Sequence, residues 1–293
     1  RRWRKPPPGT ALTWAHGHLV FRPEPWVVEV EYASLLLGPN PKHLKNEKYR
    51  RTLERVLASP YCRAIRCCCE AGRQTLVTGL DCRGFEHKIE VVYPAVPPKL
   101  FVKQPGNGRI KLLFIGSGNI KGHFEGKGGN EVLEAFAALC QRYSNLELVI
   151  RSDVPDNVKA SCAGIENIRI IDEIIPAEML AGEYQSADIF ILPSHTTPPY
   201  TILDAMSYEL PVVSIDAWAN AEFIADGKTG LLVECSRRVP YYDDTSQPNF
   251  GATEFSEAIS KPDPGVIEGL VKKVSLLIEN PELRRKLGKA GRA

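Results

Sequence analysis

Residues 187–233 read ADIFILPSHTTPPYTILDAMSYELPVVSIDAWANAEFIADGKTGLLV, and this stretch decides the fold. The apolar run Ile189 to Leu192 stops at Pro193-Ser194, and a polar loop with Thr196, Thr197, Pro198 and Pro199 follows. Beyond the loop Ile202, Leu203, Ala205 and Met206 recur at helical spacing, and Pro211-Val212-Val213 opens a second apolar run. The pattern predicts strand, loop, helix, strand, helix and strand, with the loop at a strand's carboxyl end. In open α/β sheets that edge, with the amino end of the next helix, is where phosphates and nucleotides bind. Asp204 is expected in the first turn of this helix, either as a carboxylate favoured by the helix dipole or as an acceptor for ribose hydroxyls.

The same alternation extends upstream to Lys111. Strands are expected at Leu112–Ile115, Leu146–Ile150 and Ile168–Ile171, and helices at Glu131–Arg142 and Ala177–Gln185. Alternating strands and helices imply a parallel, doubly wound sheet. Two closing helices are read at Val266–Glu279 and Glu282–Lys289. The Pro-, Ser- and Asp-rich run Cys235 to Asp263 reads as a surface excursion. In the first hundred residues Trp26 to Glu31 alternates like a strand, Glu47 to Ala58 like a helix and Lys88 to Tyr93 like a strand. The Pro- and Gly-rich segment from Pro94 to Gly108 reads as a hinge.

With 293 residues, 43% of them hydrophobic, the chain is long enough for two cored domains. A net charge of +2 gives no case for nucleic acid. The basic cluster Arg1, Arg2, Arg4 and Lys5 is local, a solvated end or a peripheral membrane contact. No apolar run approaches the roughly 18 residues of a membrane span, and no export signal opens the chain, so a cytoplasmic setting is expected. The eight Cys are read as free thiols, and the group Cys62, Cys67, Cys68 and Cys69 as a small-residue helix face against the first sheet.

The stretch from Pro193 to Val233 resembles the donor-site signature of GT-B glycosyltransferases, specifically the retaining family 4 group (glycosyl transferases group 1). The match is carried by Pro193-Ser194, Ala205-Met206, Pro211-Val212-Val213, Glu222, Asp226-Gly227 and Thr229-Gly230-Leu231-Leu232-Val233. The family's ribose-binding Glu stands here as Asp204, and its sugar-contacting Glu as Thr196 or Thr197. Pro198 and Pro199 replace glycines whose N–H groups face the diphosphate in the family, and proline has no N–H. Upstream, Gly116-Ser117-Gly118-Asn119 and then Lys127-Gly128-Gly129 resemble the family's phosphate end. Lys127 matches the Lys that pairs with the donor diphosphate; Ser117 replaces a basic residue, for which Lys121 or Arg151 is the substitute. Read instead as a dinucleotide fingerprint, Gly116-x-Gly118 would need its third Gly at Lys121, which argues against an oxidoreductase.

The resemblance implies an α/β, GT-B type fold with two Rossmann-like domains. Residues 108–293 would form a complete doubly wound donor-binding domain, and residues 1–107 a partial acceptor-side domain and hinge. It implies a chain lacking part of the amino-terminal domain and the final crossing helix. The implied activity is retaining, metal-independent, hexosyl-type transfer from a UDP- or GDP-sugar, with no cofactor, to a glycan or lipid-linked acceptor. Donor-binding candidates are Gly116, Ser117, Lys127, Arg151, Thr196, Thr197, Tyr200, Thr201 and Asp204. Glu31, placed where the family commonly has a His after a strand, and His195, beside the sugar loop, are the catalytic candidates; a surface carboxylate and a rigid turn are their bland alternatives. An epimerase of the same fold and a non-catalytic nucleotide-sugar binding module are the rival readings.

Overall fold

A computed structural model describes residues 7–38, 41–103, 108–116, 123–196 and 199–293. The chain forms two compact units, the first of residues 1–94 with 240–255, the second of 95–239 with 256–293. The division expected at 107 therefore falls earlier, at Pro94/Ala95, and 240–255 returns to the first unit.

In chain order the first unit holds β1 (Thr13–His16), β2 (Trp26–Val30), α1 (Lys42–Lys45), α2 (Glu47–Ala58), β3 (Cys62–Cys67), α3 (Glu70–Gly79) and β4 (Ile89–Val91). Its sheet is parallel in the order β1-β2-β3-β4, with Val28 beside Ile65 and Val30 beside Cys67. Trp26, Val28, Val30, Leu53, Leu57, Ile65, Leu76 and Phe85 form its core. Asn46 caps α2, its side chain accepting from Lys48 N at 3.0 Å, which sets where the helix starts. The cysteines do not form a helix face: Cys62 and Cys67 end β3, and Cys69 caps α3 by accepting from Gly72 N at 3.3 Å. Cys62, Ile65 and Cys67 are buried by strand pleating, and burial pushes the Cys67 thiol up to about 12.

The segment 240–255 is not a plain surface excursion. Gln247 and Phe255 are each 1% exposed, and Phe250 meets Tyr32 edge-on at 5.6 Å. Gln247 Nε2 donates to Thr75 O at 2.8 Å, while Asp243 Oδ1 accepts from Thr245 N and Gln247 N and so closes a turn. Lys45 pairs with Asp244 at 2.5 Å and with Asp243 at 3.6 Å. Aromatic burial, invisible to a composition count of Pro, Ser and Asp, anchors this segment.

The second unit comprises β5 (Ile110–Ile115), α4 (His123–Gly126), α5 (Gly129–Cys140), β6 (Leu146–Arg151), α6 (Asp156–Cys162), β7 (Ile168–Ile171) and α7 (Ala177–Ser186). It continues with β8 (Ile189–Ile191), α8 (Pro199–Ser207), β9 (Val212–Ile215), α9 (Asn220–Phe223) and β10 (Gly230–Val233). After α10 (Thr253–Ile259) come α11 (Pro264–Glu279) and α12 (Pro281–Arg292), each with proline in the first turn, capped by Asp263 and Asn280. The six-stranded sheet is parallel, in the order β10-β9-β8-β5-β6-β7. Leu112, Leu113 and Phe114 are all 0% exposed, as expected for a strand covered by helices on both faces. Val132, Ala135, Phe136 and Leu139 form the buried stripe of α5. The expected hinge belongs partly to this unit: Phe101 lies 5.3 Å from Tyr208, and Lys103 donates to Ala187 O.

Candidate functional site

Strand order reverses between β5 and β8, whose following segments run in opposite directions across the sheet. The carboxyl ends of those strands therefore open a crevice that no crossover covers. Gly116 leaves β5 there, and Pro193-Ser194-His195-Thr196 leaves β8. Gly116 N donates to Arg151 O at 2.9 Å, and a Cβ at Gly116 would lie 2.4 Å from Ser152 Oγ, so only glycine fits.

The turn that opens α5 meets the loop after β8 directly. Gly128 has φ +77°, and a Cβ there would lie 2.3 Å from Pro193 O. His195 N donates to Gly126 O at 3.0 Å. Lys127 Nζ donates to Thr196 Oγ1 at 3.1 Å, so the phosphate-end cation and the sugar-loop hydroxyl are neighbours. Ser194 Oγ donates to Thr196 O at 2.7 Å, and Asn220 Nδ2 holds Ser194 O at 3.0 Å and Ile215 O at 3.0 Å. Burial, then Lys127, lowers the His123 pKa, keeping that ring uncharged beside the cation.

Arg151 ends β6, and its buried Nε has no hydrogen-bond partner among the described residues. Tyr200 and Thr201 stand at the start of α8, Tyr200 51% exposed. Asp204 is not in the first turn. Proline at 199 starts α8 earlier than the apolar spacing suggested, leaving Asp204 in the second turn, where it pairs with Lys99 at 3.6 Å. The helix-dipole argument for it lapses, and its contribution is a carboxylate that is 36% exposed. Burial, with Asp204 behind it, raises the pKa of Tyr184. Ser117 and Thr197, with Lys121 and Pro198, lie outside the described residues.

His195 is corrected. Its side chain is 0% exposed, and its Nε2 lies 3.2 Å from Glu131 Oε1, so the ring faces the interior rather than a ligand. A tight turn about Pro193, with Ser194 N donating to Leu192 O at 2.8 Å, leads into the buried Ser194 and His195, which sequence spacing does not report. Glu131 and Asn220 carry no motif signal; a carboxylate in an amphipathic helix start reads as solvated, yet Glu131 is 1% exposed. Glu31 stands in the first unit just after β2, 30% exposed, with His16 Nε2 at 3.7 Å. His16 also lies 3.5 Å from Glu29, whose carboxylate accepts from Trp14 Nε1 at 3.2 Å.

In doubly wound parallel sheets the switch point is where ligands bind, and here Lys127 and Thr196 meet at that edge. The description "Glycosyl transferases group 1" matches residues 109–240. A GDP-mannose-dependent alpha-mannosyltransferase of Mycolicibacterium smegmatis is 32% identical over 103 residues, 35% of this chain and 27% of that protein. A D-inositol 3-phosphate glycosyltransferase of Arthrobacter sp. is 28% identical over 145 residues, 46% of this chain and 33% of that one. In fold, sucrose-phosphate synthase of Thermosynechococcus elongatus superimposes with a TM-score of 0.64 at 15% identity, covering 97% of this chain and 68% of that one. The UDP-bound Alr3699/HepE of Anabaena gives 0.64 at 13% identity, covering 92% and 66%. The fold is GT-B, and residues 109–240 carry the similarity to the glycosyl transferases group 1 family. The matched region spans well under half the length of these curated relatives.

Proposed function

We propose that the crevice at the β5/β8 switch point binds the donor of a retaining glycosyltransferase, a UDP- or GDP-sugar. The observation that carries this reading is Lys127 beside the β8 loop, 3.1 Å from Thr196 Oγ1, at the carboxyl edge of a parallel sheet. Lys127 would release Thr196 to meet the diphosphate, with Arg151 as a second cation and Asp204 as acceptor for the ribose hydroxyls. Thr196 would hydrogen-bond the sugar.

In the transfer, the sugar C1–O bond to the β-phosphate breaks and a bond to an acceptor oxygen forms on the same face. The acceptor proton passes to the departing phosphate oxygen, whose growing charge Lys127 stabilises. The reading needs neither a metal nor a cofactor. The acceptor is a glycan or lipid-linked sugar. Peripheral membrane contact is supported by Leu100 and Val102, 98% and 79% exposed, in the same unit as the exposed Arg285, Lys286 and Lys289 of α12. A non-catalytic nucleotide-sugar binding module is the second reading, favoured by a neutral Thr196 where the family has a carboxylate.

Calorimetric titration with UDP, GDP and their sugars tests the site. A charge-assisted hydrogen bond contributes about 1.5–3 kcal/mol and the Lys127–Thr196 bond given up costs about 1, so Lys127→Ala should raise Kd roughly 2- to 30-fold. Absence of binding to any of these ligands, or an unchanged Kd in the variant, overturns the reading. Donor turnover separates the enzyme from the binding module.

A further inference from the structure

The loop after β8 and the turn opening α5 belong to different crossovers, and a buried polar pair joins them. Glu131 and His195, 1% and 0% exposed at the side chain, approach at 3.2 Å between Oε1 and Nε2. Glu131 Oε2 receives no hydrogen bond among the described residues. Burying a carboxylate in this way is costly, and an apolar pair of similar volume would often serve stability equally well. The pair is therefore poorly explained as a stabilising device.

Its place in the chain offers another explanation. Glu131 is in the first turn of α5, close in sequence to Lys127, and His195 immediately precedes Thr196. Pinning the His195 ring to Glu131 fixes how far the loop enters the interior, and so where Thr196 Oγ1 stands relative to Lys127 Nζ. The backbone bond from His195 N to Gly126 O, at 3.0 Å, sets the height of the loop. The contact with Glu131 holds the ring of the same residue.

We infer that Glu131 and His195 are positioning residues, a buried latch that holds Lys127 and Thr196 in the arrangement a nucleoside diphosphate meets. Neither touches the donor, and the inference rests on the donor-site reading above.

The test is a double-mutant cycle read as Kd for UDP and for GDP, with melting temperature followed in parallel. Glu131→Ala should weaken binding about 5-fold, whereas Glu131→Gln, which keeps an oxygen acceptor for His195, should stay within about 2-fold of the unmodified protein. Combining Glu131→Ala with Lys127→Ala should weaken binding little beyond Lys127→Ala alone, because the latch acts through Lys127. A purely structural role would lower the melting temperature and leave Kd unchanged or the two effects additive; either result overturns the latch. If Lys127→Ala itself leaves Kd unchanged, the donor-site reading fails first. If Lys127→Ala weakens binding and Glu131→Ala does not, only the latch fails. Should Glu131→Ala not fold, His195→Gln against His195→Leu makes the same comparison: Gln retains a donor for Glu131, Leu does not, and equal Kd values overturn the latch.

Discussion

Replacing Gly128 with alanine probes the contact on which the site geometry depends. Gly128 adopts φ +77°, where an L-residue costs about 1–2 kcal/mol. The new Cβ would also lie 2.3 Å from Pro193 O and 2.6 Å from Pro193 Cγ, a backbone and a ring that cannot swing aside. Relieving such overpacking costs about 1–3 kcal/mol more, for a sum of roughly 2–5 kcal/mol. At about 2–4 °C per kcal/mol for a unit of this size, the melting temperature should fall by roughly 4–20 °C. Gly164→Ala is the matched control: its φ is +83°, but no heavy atom lies within 4 Å of the added Cβ. It bears only the backbone penalty, so its melting temperature should fall by no more than about 2–8 °C. Displacing Pro193 moves the loop that carries Thr196, so Gly128→Ala should also weaken UDP or GDP binding, whereas Gly164→Ala should not. Thermal denaturation and calorimetry on the two variants supply both readouts. Equal losses of stability, or unchanged nucleotide affinity in Gly128→Ala, would refute the reasoning.

Asp263 caps α11; although burial pushes its carboxyl up, hydrogen bonds from Ser236, Arg238 and Gly265 N outweigh this and hold it at about 2. Because the folded value lies below the ordinary value of about 3.9, its contribution is complete above that value and disappears as pH falls toward about 2. Asp263→Ala should cost about 1–2 kcal/mol at neutral pH, with the deficit shrinking across that acid window in denaturant melts. A deficit independent of pH would contradict this. Gln247→Ala removes the donor to Thr75 O and should cost the first unit about 1–3 kcal/mol, with faster amide exchange over 240–255 as the check. Sedimentation with vesicles should show binding to phosphatidylglycerol but not to phosphatidylcholine, weakened by about 2 kcal/mol in Arg285→Ala/Lys289→Ala; equal binding to both lipids would remove the membrane proposal.

The sequence by itself determined most of the second unit. The apolar runs at Leu112, Leu146 and Ile189 are largely buried parallel strands, the run at Ile168 is the half-buried edge strand, and the helices from Ala177 and toward Glu279 appear nearly where helical spacing put them. Strands covered on both faces need continuous apolar sequence, and that is a local signal. The loop after Leu192 was equally legible, because proline and serine end the strand. Tertiary structure decided the rest, because it depends on residues distant in the chain. His195 is a polar residue in a loop by sequence, yet burial and Glu131 turn it inward. Asp204 shifts to the second helical turn because Pro199 is placed to start the helix. The run from Pro240 to Phe255 reads as a loop, yet Phe250 and Gln247 find partners at Tyr32 and Thr75, contacts no local pattern announces. Local periodicity specifies elements; which side chains meet across them is set only when the sheet order brings their ends together.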